Sequence, residues 1–205
     1  MDYRDYQNAR DASWQMLIDV GVNRLPVKIS GILKALNIPA GTYKQNLTLI
    51  QTMGLTELVR KTDGFTVLRE GRPYIFYNGD MLPTRIRFTL AHELGHLVLR
   101  NGFSRFSGGV VTRSNAEPGT TRNPEEQAAD VFAVRLLAPA CVLHELRLFD
   151  AGQIAEVCQI SRTAAGYRLR RLLLLEERGR YYLSPLERRV RDQFAEFIRY
   201  YKSSG

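Results

Sequence analysis

Apolar residues recur at helical spacing near the start of the chain, first Trp14, Met16, Leu17 and Ile18, then Ile29, Ile32, Leu33 and Leu36. They predict two amphipathic helices parted near Gly21 and Leu25-Pro26. A third helix is expected over Thr42 to Met53. The period then shortens: Phe65 to Leu68 and Tyr74 to Tyr77 read as strands rich in β-branched and aromatic residues, turning around Glu70-Gly71-Arg72-Pro73. Helical spacing returns with Ile86, Leu90, Leu94, Leu97 and Val98, after a start at Pro83-Thr84. Asn123-Pro124 opens another helix, with Asn123 as N-cap, Pro124 at the first helical position and Glu125 and Glu126 in the first turn. Between these two helices the Gly-, Ser-, Thr- and Asn-rich stretch from Asn101 to Thr121 predicts a mobile loop; Arg100 just before it and Arg105 and Arg113 within it could meet an acidic substrate, with solvation of the fold as the favoured role. The expected class is α+β, mainly helical, with a small antiparallel sheet.

After Pro139 the composition shifts. From Ala151 to Gly205 there are 11 Lys and Arg against 6 Asp and Glu, in a chain whose net charge is +8. Gln153 to Ala165 has the small and apolar positions of a helix-turn-helix, with Ser161 capping the second helix. Leu169, Leu172, Leu173 and Leu175 give that helix a buried face, and Pro185 to Tyr201 reads as a final amphipathic helix packing through Phe194, Phe197 and Ile198. The chain is thus expected to divide into residues 1–140 and a basic helical module, 141–205. Arg162, Arg168, Arg170 and Arg171 stand where they can touch phosphates, yet basic charge attracts DNA without reading bases, so direct DNA binding is not the favoured role.

The candidate chemistry lies in His92-Glu93-Leu94-Gly95-His96. Residues four apart on a helix stand one above the other, so two imidazoles aim at one point, a good start for binding an ion such as zinc. Glu93 is turned about 100° from His92, where a carboxylate reaches a water at the metal without becoming a ligand. A catalytic zinc site usually has three protein ligands. The three-histidine pattern is excluded, because Leu99 and Gly102 occupy the positions of its later Gly and His. Glu126 and Asp130 share a face of the next helix; Glu126 is assigned to the metal, and Asp130 to accepting the outer N–H of His92. Glu125 and His144 are rival third ligands. Cys141 and Cys158 form no ligand pair and are expected to be buried, unpaired thiols.

Arg87 to His96, followed by Glu126-x-x-Ala129-Asp130-x-Phe132-Ala133 and Leu136-Leu137-Ala138-Pro139, resembles the ImmA/IrrE family of metallo-endopeptidases. The resemblance is strong over the middle third of the chain. It implies a thermolysin-like zincin core in which His92, His96 and Glu126 bind metal and Glu93 is the base. It also implies a substrate, since several members cleave phage-type helix-turn-helix repressors. Position 130 is often Asn in the family and is Asp here, closer to thermolysin-type sites, and Ala138 stands where Met is common.

The resulting expectation is a zinc-dependent endopeptidase, with Mn2+ as an alternative metal, that acts on a repressor. A DNA-binding regulator and a catalytically silent, metal-stabilised interaction protein are the competing classes. The Tyr74 to Asn78 strand is a candidate edge for holding an extended peptide, with packing of its aromatic residues as the competing role. The polar Met1 to Arg10 start does not read as a signal peptide, and the longest leucine run is Leu172 to Leu175, so a cytoplasmic protein without a membrane partner is expected.

Overall fold

The computed structural model describes residues 2–99, 110–111 and 123–204. The expected loop from Asn101 to Thr121, with Arg100, Arg105 and Arg113, lies outside the described residues apart from Val110 and Val111. The helices are α1 (Tyr3–Asp19), α2 (Ile29–Ala35), α3 (Leu47–Thr52), α4 (Thr56–Lys61), α5 (Pro83–Leu99), α6 (Pro124–Leu137), α7 (Ala140–Glu145), α8 (Ala151–Cys158), α9 (Arg162–Glu177), α10 (Pro185–Gln193) and α11 (Ala195–Ser203). The strands are β1 (Ala40–Thr42), β2 (Gly64–Arg69), β3 (Arg72–Tyr77) and β4 (Val110–Val111). The class is α+β and mainly helical.

The hairpin forms because Glu70 and Gly71 both take positive φ, 53° and 76°, the backbone that a two-residue turn between twisted strands requires. It sets Phe65 opposite Phe76 and Thr66 opposite Ile75. Alternation then divides the strands between two cores. Phe65, Val67 and Phe76 pack with Tyr43, Ile50 and Leu55 on one face, while Ile75 joins the larger core around α5 on the other.

Two expectations about the sheet change. It is mixed, because β1 pairs parallel with β3 while β2 pairs antiparallel with both β3 and β4. The strand order is β1-β3-β2-β4, so the Tyr74–Tyr77 segment is interior and offers no edge to a peptide. Ala40 to Thr42 is too short to show a period, yet it takes up the ladder groups on which that role depended. The expected Thr42–Met53 helix shrinks to α3, and α4 is additional.

Helix α5 is the central element, buried without interruption from Thr89 to Leu97. Gly95 lets α6 lie close against it: a Cβ there would stand 3.1 Å from the Phe132 ring and 3.2 Å from the Ala129 backbone. Arg87 ties α5 to the segment before α2 and to the end of α8 by donating to the carbonyls of Val27, Cys158 and Gln159 at 2.9–3.1 Å. The apolar core runs without a break from Trp14 through Leu94, Phe132 and Leu172 to Ile198. It therefore crosses residue 140. Both cysteines are free and buried.

In the C-terminal helices, Gln159 turns the chain in the left-handed region and Ser161 Oγ accepts the Ala164 N–H at 3.1 Å, so α8 and α9 meet as a capped helix pair. Two details depart from expectation. Arg168 is 3 % exposed and donates to the Ala138 carbonyl at 2.7 Å, which removes it from any phosphate-contacting face, and Leu173 points outward, half exposed. The final helix breaks at Phe194, whose buried ring anchors the junction of α10 and α11. By length and composition one described stretch, Pro124–Glu145, is apolar enough to cross a membrane, but most of its apolar window is buried in the fold.

Candidate metal centre

Two adjoining helices and one strand build the site. Asn123 Oδ1 caps α6 by accepting the Glu125 N–H at 3.0 Å, fixing where the first turn begins and hence where Glu126 points. The close crossing at Gly95 brings that turn over α5. His92 Nε2 and His96 Nε2 then lie 3.0 Å apart, with Glu126 oxygens 3.4 Å from the former and 3.1 Å from the latter. Their ligand atoms all fall within 4.8 Å of one another.

These spacings fit a metal. Ligand atoms placed tetrahedrally at about 2.0–2.1 Å from one ion stand about 3.3 Å from each other. His92 Nδ1 lies 2.8 Å from Asp130 Oδ1. A carboxylate accepts rather than donates, so the proton sits on Nδ1 and the Nε2 lone pair faces His96 and Glu126. Such a face calls for a cation: imidazole lone pairs and a carboxylate converging without one repel each other.

Glu93 is 1 % exposed and adjoins this cluster without joining it. Thr66 Oγ1 donates to its Oε2 at 2.8 Å, while Oε1 is buried and has no hydrogen-bond partner among the described residues. A buried carboxylate oxygen left open is costly unless something outside the protein supplies a proton or a water. Gly64 makes room for this contact, because a Cβ there would press on Thr89 at 2.5 Å and approach the Glu93 side chain at 3.7 Å.

The structure thus brings His92, His96, Glu126, Glu93 and Asp130 together. It separates His144 from them. That ring stacks on Tyr181 at 3.9 Å, with Nδ1 3.0 Å from the Tyr182 hydroxyl and Nε2 3.0 Å from Glu176, in a half-buried aromatic cluster. Glu125 is not part of the converging set. Sequence alone assigns no role to Thr66, to Gly64 or to Gly95 within its motif. The one available signal is a polar residue between Phe65 and Val67, on the strand face opposite to theirs.

A buried helix that carries paired imidazoles and a half-satisfied carboxylate, closed by an acid from the next helix, defines the class of metal-dependent hydrolases. Residues 52–170 match the family model of peptidase M78, the IrrE N-terminal-like domain. That is more than half of the chain and spans every residue of the cluster, and the chain belongs to this family of metallopeptidases. No curated protein matches it.

Proposed function

We propose that the chain is a zinc-dependent endopeptidase, with manganese able to take the same place, in which His92, His96 and Glu126 hold the ion. The convergence of two imidazoles and one carboxylate at 3.0–3.4 Å beside an open carboxylate oxygen carries this reading. When bound, the ion supplies Lewis acidity, activating water and polarising a peptide carbonyl. Glu93 moves the proton. The Thr66 hydroxyl holds Oε2, leaving Oε1 to take a proton from the attacking water and return it to the departing amine. Asp130 keeps the proton of His92 on Nδ1, so that Nε2 stays a ligand. The sheet edge formed by β4, which pairs with the strand of Thr66, replaces β3 as the candidate track for an extended substrate.

The substrate is a helix-turn-helix repressor, and its cleavage relieves repression. That part rests on the resemblance of the paired motifs. The burial of Arg168 weakens the competing DNA-binding reading of α9. Metal-loaded protein incubated with helix-turn-helix repressors encoded beside it yields fragments of defined mass, and none when a chelator is present. Repressors left whole contradict the substrate assignment; fragments indifferent to chelator contradict the role of the metal.

A further inference from the structure

A second polar cluster lies at the other end of α6 and takes no part in the chemistry above. Arg135 stands nine residues beyond Glu126, about 13 Å further along the helix. With Tyr6, Arg10, Trp14, Arg171 and Arg180 it lines a cleft of about 120 Å³ between α1, α6, α9 and the approach to α10. The packing is cationic and aromatic. Arg135 donates to the Tyr6 hydroxyl and lies over its ring at 4.6 Å, Arg171 approaches the same ring at 5.7 Å, and Arg10 covers Trp14 at 4.9 Å. Arg168 is buried behind them.

Charge and hydrogen bonding are both left unbalanced. Among the described residues the one carboxylate lining the cleft is Glu187, and burial pushes its carboxyl up, towards the neutral form. Asp11 is spent on Arg10 at 2.8 Å. Burial, with Arg168 close by, holds the Arg135 guanidinium down to about 9. Three buried donors, Trp14 Nε1, Arg171 Nε and Arg168 Nη2, have no partner among the described residues. Trp14 is 4 % exposed and lines the cleft. Buried donors normally find partners, and clustered guanidiniums normally find acids.

We propose that this cleft binds a phosphate-sized oxyanion, free or as a phosphomonoester. Planar guanidiniums pair two oxygens at a time, and several around one small anion match the three or four oxygens and the double charge of a phosphoryl group better than a single carboxylate does. The volume admits that group. Such an anion offers acceptors for the orphaned donors of the lining residues, Trp14 Nε1 and Arg171 Nε, and offsets the crowding of the guanidiniums around the cleft.

Trp14 is the only tryptophan in the chain and lines the cleft, so its fluorescence reports occupancy directly. Inorganic phosphate titrated into the full chain, against chloride at equal ionic strength, gives a saturable change in emission. Arg171→Gln raises the midpoint at least about tenfold and Arg180→Gln, at the exposed rim, raises it less, as expected for losing charged hydrogen bonds. Arg189→Gln, on an exposed face of α10 outside the cleft, leaves it unchanged. Adenosine 5′-monophosphate serves as the esterified probe, and the tighter of the two ligands identifies the source. A response that chloride reproduces, no saturation with either probe, or a midpoint indifferent to both Arg171→Gln and Arg180→Gln overturns the site.

Discussion

At the N-terminal end of α6, Glu126 and Asp130 meet two buried imidazoles, whereas at its C-terminal end Arg135 meets further guanidiniums and a carboxyl group pushed towards neutrality. Both ends are desolvated and both leave polar atoms open, Glu93 Oε1 at one and three nitrogen donors at the other. The signs differ. Converging lone pairs ask for a cation, and converging N–H groups ask for an anion. A buried polar cluster is costly when half satisfied, so the sign of what is missing says what each end is built to receive.

The comparison breaks most sharply at Glu93. Glu93→Gln keeps the metal and the fold and lowers the rate of peptide cleavage by about 10²–10⁴-fold, the usual worth of a positioned base. Steady-state rates on a cleaved substrate, with metal content measured beside them, check this. Asp130→Ala frees the outer nitrogen of His92 and weakens metal binding by about 10–100-fold in a competitive chelator titration. Phosphate binding at the far end of α6 does not change.

Gly95→Ala sharpens the contrast by acting on the helix crossing alone. The new methyl group presses on Phe132 and Ala129, costs about 1–3 kcal/mol in denaturant unfolding, and lifts the first turn of α6 away from the imidazoles. Thr66→Val is the mildest. It removes the Thr66 hydrogen bond to Glu93 Oε2 and slows cleavage roughly tenfold while metal affinity stays as it was. An equal loss of metal in Thr66→Val would show that the hydroxyl holds the fold and not the base.

Local rules made the metal end legible. The spacing of His92 and His96, the Asn123-Pro124 start and the Ser161 cap depend on neighbours within a few residues, and the structure carries each as read. Features set by distant parts of the chain were hidden. The three residues of β1 show no period, so nothing marked β3 as interior. Thr66 reads as an ordinary strand residue until α5 is laid across it. Arg168 looks like part of a basic face because the pattern of α9 does not say that Ala138 will cover it. The arginine cleft needed α1, α6 and α9 together, from residues more than 160 positions apart.

All of the proposed chemistry needs one ion held by His92, His96 and Glu126. Zinc bound at equilibrium by the purified chain, beside Glu126→Ala of the same fold, tests it most directly. About one zinc per chain is expected, with affinity falling at least about tenfold in the variant. A chain that binds no zinc, or a Glu126→Ala variant that binds it as tightly as the parent, would contradict it.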